Sequence, residues 1–267
     1  MNLFDAHNHL QDAALAPYLP EIIQDCQALG IRGMVVNGTE ESDWDRVAHL
    51  AAAHPWMLPS YGIHPWKVDE RSPNWQTALE ARLDEGGCVG EIGLDRWKTT
   101  KNFDAQLEVF RWQLALAADR NLPVTIHCLR AWGPMLEILR ETRLPAGGFL
   151  LHAYGGPLEM VPEFVKLGGY FSFSASFLTP GRERKLEPFR AMPMERLLVE
   201  TDAPSMPPPK PLDQHPLPAA KNGERMHHPA NLAAAYHGLA ALRHMPCGDL
   251  ANQIAKNFAR LLASFLR

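Results

Sequence analysis

Short apolar runs and amphipathic stretches alternate along the chain. β-rich runs fall at 33–36, 57–61, 88–92, 124–127, 148–152, 170–174 and 197–201, and the opening run Leu3, Phe4, Asp5, Ala6, His7 brings the count to eight. Between them, apolar residues recur at helical spacing over 20–29, 44–53, 103–118, 131–142 and 158–167. Repeated strand and helix of this kind predicts parallel strands joined by crossover helices. Eight such units in one chain match the closed (β/α)8 TIM barrel better than an open doubly wound sheet, and no Gly-x-Gly-x-x-Gly follows the first run. The tail over 231–267 reads as two further helices, with a break at Pro246, Cys247 and Gly248, that close the barrel. Residues 203–219 hold seven prolines, which predicts a rigid loop at the barrel mouth.

In such barrels catalytic groups gather where strands end, so polar residues at those positions carry the chemistry. The first run ends in His7 and His9, and strand alternation puts residues 5, 7 and 9 on one face. Two nearby histidines are equally compatible with a solvated turn, so the pair alone decides nothing. Asp5, on the same face, is expected to orient a ligating imidazole through its other nitrogen. Later runs end in His64, Glu91, His127, His152 and Asp202. Chance placement of an imidazole or carboxylate at so many corresponding positions is hard to credit, and the set predicts a metal site.

Oxygen and imidazole ligands without thiolate suit Mg, Mn, Zn, Ni or Co. The groups outnumber what one tetrahedral ion needs. Two divalent ions about 3.5–4 Å apart, bridged by a carboxylate and a water, would use them all, so a binuclear metal centre is expected.

The chain has 267 residues, 46% hydrophobic and 21% charged, which suits one domain over 1–267 with a substantial core. No stretch approaches the roughly 20 apolar residues of a membrane span, and the first residues lack a basic region followed by a long apolar one. These features predict a soluble, unexported, cytoplasmic protein with no membrane contact and no obligate protein partner. Cys26, Cys88, Cys128 and Cys247 show no paired spacing and read as reduced thiols. A formal net charge of −4 argues against broad wrapping of nucleic acid, so any action on it would be catalytic and local.

The chain resembles the TatD-related metal-dependent hydrolases over essentially its whole length. The resemblance rests on DAHNH at 5–9, GIHPW at 62–66, GEIGLD at 90–95, PVTIHC at 123–128, LHAYGG at 151–156 and ETDAP at 200–204. It implies that His7, His9, Glu91 and Asp202 surround one ion and that Glu91, His127 and His152 surround the second, with Glu91 as the bridge. It further implies hydrolysis by a metal-bridged hydroxide, in which Asp202 is ligand first and base second. His64 matches the pattern without being a ligand, and reads as a substrate-facing donor or a strand cap. Arg96, with Lys98 and Lys101 in the same loop, and Arg130 are candidate phosphate contacts, although exposed cations after a strand are usually only solvated.

The outer positions depart from the family pattern. Leu129 stands where many relatives have Arg, with Arg130 one step later, and His227-His228-Pro229 replaces a common Asn-Glu-Pro. The leading expectation is a TatD-type deoxyribonuclease that hydrolyses phosphodiester bonds of DNA. The alternatives are a hydrolase of a small ester or aminoacyl-tRNA, and a metal-binding barrel that has lost turnover. No stripe of aromatic and basic residues for single strands stands out in the sequence.

Overall fold

The computed structural model describes residues 1–97 and 102–264. Eight parallel strands follow one another in chain order around one sheet: β1 (Leu3–Asn8), β2 (Ile31–Asn37), β3 (Met57–Tyr61), β4 (Cys88–Asp95), β5 (Val124–Leu129), β6 (Phe149–Leu151), β7 (Gly169–Ser174) and β8 (Leu197–Glu200). Helices α1 (Leu19–Leu29), α2 (Trp44–Ala53), α3 (Trp75–Asp84), α4 (Phe103–Arg120), α5 (Trp132–Glu141), α6 (Val161–Lys166) and α7 (Glu187–Ala191) connect them, and α8 (Leu232–Leu242) and α9 (Cys247–Leu261) complete the chain. This is the expected (β/α)8 barrel. Its strands are buried on both faces, as every residue of β4 illustrates, because helices cover one side and the packed interior fills the other. No helix among the described residues is long and apolar enough to cross a membrane.

Several elements differ from expectation. Helix α3 went unpredicted because only Trp75, Leu79 and Leu83 are buried in it, a single narrow stripe among polar residues. The break in the tail lies before Cys247, so Gly248 sits inside α9 and Pro246 caps its start. Strand β6 ends at Leu151, leaving His152 one residue past it. Lys98 and Lys101 lie outside the described residues.

Two local devices position the strands that matter. The β4–β5 register shifts between Val89 and Ile92, a bulge that brackets Glu91 and re-aims it. Beyond it Gly93 has φ +151, and a Cβ there would lie 1.9 Å from the His127 carbonyl oxygen. Glycine is therefore what lets β4 approach β5 closely enough to set Glu91 beside His127.

The barrel closes between β8 and β1 largely through side chains and loop backbone. The carboxylate of Asp5 accepts from the Thr201 N–H at 3.0 Å and from its hydroxyl at 2.6 Å. Farther up, the Asp202 N–H donates to the His7 carbonyl at 2.9 Å and the His9 N–H to the Ala203 carbonyl at 2.7 Å. Farther down, the Tyr236 hydroxyl of α8 accepts from the Phe4 N–H at 2.9 Å and donates to its carbonyl at 3.1 Å, occupying the place of a partner strand. The terminal helices thus seal the seam, as the tail pattern implied.

Candidate metal centre

His7 is near the end of β1 and His9 follows it, Glu91 lies in the β4 bulge, His127 is in β5, His152 follows β6 and Asp202 follows β8. The six converge. Glu91 Oε2 lies 3.4 Å from His7 Nε2 and 3.1 Å from His9 Nε2. Its other oxygen, Oε1, lies 3.0 Å from His127 Nδ1 and 2.8 Å from His152 Nε2. Asp202 Oδ1 closes the first group, 3.5 Å from His7 Nε2 and 3.4 Å from His9 Nε2. One carboxylate therefore turns one oxygen to each of two histidine pairs. Asp202 itself has φ +56, a left-handed conformation that costs a non-glycine residue about 1–2 kcal/mol and is held here by the backbone bond to His7.

Hydrogen bonds on the far side of the rings decide which nitrogens can bind a cation. His9 Nδ1 lies 2.7 Å from the Asn37 carbonyl oxygen, which can only accept, so the ring's Nε2 lone pair faces the cluster. His127 Nε2 lies 3.1 Å from Asp95 Oδ2, so its Nδ1 lone pair faces Glu91. His152 turns Nδ1 toward Glu200 Oε1 at 3.6 Å, and the other oxygen of Glu200 accepts the Ser172 hydroxyl. Lone pairs aimed at carboxylate oxygens and at one another, as His7 Nε2 and His9 Nε2 are at 3.1 Å, repel unless positive charge lies between them. The donor set therefore fits divalent cations.

The protonation tendencies point the same way. Burial disfavours a charged His9 and a charged His152, yet Asp202 and Glu91 beside the first, and Glu91 and Glu200 beside the second, hold both well above the ordinary imidazole range. Burial opposes charge on His127 as well, and Asp95 and Glu91 raise it. Burial would raise Glu91, but the surrounding imidazoles hold its carboxyl well below the usual range. Asp202 is likewise depressed against burial, chiefly by His9. Burial and the neighbouring His152 lower His7. Protons drawn in this way are the ones a bound cation displaces.

His64 is buried beside the cluster, its Nε2 3.4 Å from Glu91 Oε1. Its Nδ1 accepts the Trp66 N–H at 3.1 Å, and burial pushes the ring down to about 4, so the neutral ring carries its proton on Nε2. It is both cap and inward-facing donor, and its inward nitrogen has no lone pair for a metal.

Asp5 requires a correction. The β1–β2 register shifts between Asp5 and Asn8, which breaks the simple alternation, and the Asp5 carboxylate serves Thr201 at the seam and the His7 N–H at 3.2 Å. Burial pushes it up to about 7 against the pull of these donors. The carboxylates behind the imidazoles are Asp95 and Glu200, which sequence reasoning missed although both stand in the quoted motifs at strand ends. Arg96 lays its guanidinium over the Phe103 ring at 3.9 Å, and Arg130 is exposed just past β5 with φ +54. His227 and His228 do not join the cluster. The His227 ring bonds the Thr201 carbonyl at 2.8 Å, tying its segment to the end of β8, and His228 Nδ1 accepts the Ala230 N–H at 3.0 Å, capping the turn that leads into α8. Beside that loop a cavity of about 500 Å³ is lined by Ser176, Arg182, Met206, Lys210 and Arg225 among others.

Comparison with known proteins gives the family. The family model described as TatD related DNase matches residues 4–263. An uncharacterised metal-dependent hydrolase, YabD of Bacillus subtilis strain 168, is 29% identical over 262 residues, covering 97% of this chain and 98% of its own. The 3'-5' ssDNA/RNA exonuclease TatD of Erwinia tasmaniensis is 30% identical over 264 residues, covering 97% and 99%. The crystal structure of YjjV, a TatD homologue from Escherichia coli K12, superposes with a TM-score of 0.88 at 25% identity, with 98% of each chain covered.

Proposed function

Since the chain belongs to the TatD-related DNase family of metal-dependent hydrolases, we propose that it hydrolyses phosphodiester bonds of single-stranded DNA at a two-cation centre. The observation that carries this reading is Glu91, whose two oxygens face two separate histidine groups. His7, His9, Glu91 and Asp202 would hold one cation, and Glu91, His127 and His152 the other. Two such ions, when bound, acidify a water and neutralise charge that develops on a phosphoryl oxygen.

The chain's own residues set the geometry of that chemistry. Asp95 fixes the ring of His127 and Asn37 that of His9, Glu200 lies behind His152 at 3.6 Å, and the bulge in β4 holds Glu91 between them. The His64 Nε2–H is placed to donate to a substrate oxygen entering beside Glu91. Asp202, whose carboxylate lies 3.4 Å from His9 Nε2, would be a ligand first and could accept a proton from the attacking water. Arg96 and Arg130 are candidate contacts to phosphates beyond the scissile one. The single-strand preference draws on the Erwinia relative, whose name specifies single-stranded DNA and RNA.

Titration of the chelator-treated protein with Mn or Zn is expected to saturate at two ions per chain, read by elemental analysis and calorimetry. Saturation at one would sink the bridged arrangement. Asp202→Asn keeps an oxygen ligand but loses its charge and its capacity as a base. It is expected to leave the melting temperature of the metal-free protein near that of the parent and to lower kcat by about 10²-fold, within the range typical of general-base loss. Unchanged turnover would remove Asp202 from that role. End-labelled single-stranded DNA, RNA and a small carboxylic ester, assayed side by side, test the substrate class. Cleavage of the ester alone would overturn the nuclease reading.

A further inference from the structure

Four large apolar side chains are exposed among the described residues: Met1, Trp66, Trp97 and Leu158. Two of them are tryptophans within two residues of His64 and Asp95. Trp66 is 38% exposed and Trp97 59% exposed. Isolated exposed apolar residues are ordinary, but two indoles beside a cluster of buried charged groups call for an explanation.

Both hang from one carboxylate. The Trp66 Nε1–H donates to Asp95 Oδ2 at 2.6 Å, and the Trp97 backbone N–H donates to Asp95 Oδ1 at 2.6 Å. The same Oδ2 lies 3.1 Å from His127 Nε2, behind the ring that faces Glu91. The Trp66 ring also meets His64 edge-on at 4.7 Å and 75°, and His127 at 5.8 Å and 71°. The indole plane is therefore set by the groups that set the catalytic cluster.

We propose that Trp66 and Trp97 form a stacking platform for nucleobases of the strand being cut, with Trp66 receiving the base next to the scissile phosphate. This rests on the phosphodiesterase reading and names how that same site would hold its substrate. A rigid indole presents a large flat face at little entropic cost, and base–aromatic stacking accepts every base. The platform requires an unpaired base, because a base inside a duplex has both faces stacked already. It therefore favours single strands and frayed ends, and gives affinity without sequence preference. The alternation of apolar and polar positions offered no sign of it, because the two tryptophans follow different strands and meet at the Asp95 carboxylate, one through its indole N–H and the other through its backbone N–H.

The test compares single-stranded oligothymidylate with an abasic oligomer of the same length, using the metal-loaded protein. In the parent, oligothymidylate is expected to quench indole fluorescence and the abasic oligomer is not. Trp97→Ala, whose indole makes no hydrogen bond among the described residues, is expected to lower the KM ratio of abasic to thymidylate substrate by about tenfold, in line with the loss of one stacked base. Trp66→Ala should lower the ratio and reduce the quenching. Trp66→Phe keeps a ring face without the Nε1–H and should largely restore the ratio, which a purely structural loss through Asp95 would not allow. Lys256→Glu on α9 controls for changes unconnected with the mouth. Absence of quenching in the parent, or a ratio unmoved in the Trp66→Ala, Trp97→Ala double variant, would overturn the platform. Quenching is read without turnover, so a parent that stacks thymidylate but cleaves neither oligomer would refute the nuclease reading and leave the platform standing.

Discussion

Replacing Glu91 by alanine is expected to lower kcat/KM by at least about 10³-fold, which corresponds to about 4 kcal/mol of lost transition-state stabilisation. The reason is that a single side chain serves both histidine groups. Its Oε2 lies 3.1 Å from His9 Nε2 and its Oε1 lies 2.8 Å from His152 Nε2, so its removal takes charge from both halves at once. His7 and His9 would then keep only Asp202, His127 and His152 would face the cluster with no carboxylate, and the bound metal should fall from two ions per chain to one or none. Glu91→Gln is the informative companion, because it keeps the shape and one acceptor oxygen while removing the negative charge. It should retain the fold and still lose most activity. The measurement is kcat/KM on a labelled oligonucleotide, paired with metal content of the same preparation. A Glu91→Ala protein that keeps two ions, or turns over within tenfold of the parent, would eliminate the bridging role.

The second large effect concerns stability. Asp5→Ala leaves the Thr201 N–H and hydroxyl, the His7 N–H and the Asn8 side-chain amide without their carboxylate acceptor in a buried seam. Each unsatisfied buried donor costs about 1–3 kcal/mol before relaxation, and a combined loss of about 3–4 kcal/mol is expected once the site readjusts. For a domain of this size that corresponds to about 10 °C in melting temperature. Calorimetry in the presence of chelator isolates the seam from any change in metal affinity. Asp5→Asn retains one acceptor oxygen and should fall between parent and alanine variant. A loss below about 1 kcal/mol for Asp5→Ala would show that other contacts close the barrel.

The architecture was legible because buried parallel strands leave a strong trace: apolar runs bounded by polar ends, separated by helical spacing. All eight runs appear as strands; His7, His9, His152 and Asp202 fall at or just past strand ends, whereas Glu91 and His127 lie inside β4 and β5, which run on to Asp95 and Leu129. Helix α3 escaped because three buried residues in ten leave a faint pattern. Asp5 was expected behind a ligating imidazole and instead holds Thr201 and the His7 backbone N–H. Period-two alternation assumes a regular strand, and the register shift after Asp5 freed its carboxylate for Thr201. Asp95 and Glu200 were in view within GEIGLD and ETDAP. Identifying them needed the rule that a ligating imidazole commonly turns its other nitrogen toward a carboxylate or carbonyl, applied to strands that become neighbours only in the barrel. Trp66 was quoted within GIHPW yet passed over, since a tryptophan beside an apolar run ordinarily reads as core. Its exposure depends on Asp95, which lies 29 residues on.

The β8–β1 seam also sets a timetable for the molecule. Glu91, His127 and His152 emerge from the ribosome midway through synthesis, but His7 and His9 wait for Asp202, whose backbone reaches the His7 carbonyl only when β8 is in place. A nascent chain, or a truncated one ending before Leu197, carries most of the ligands and still lacks a complete pocket. Completion of the cluster therefore waits for the last strand, and a chain without it leaves His7 and His9 facing Glu91 alone.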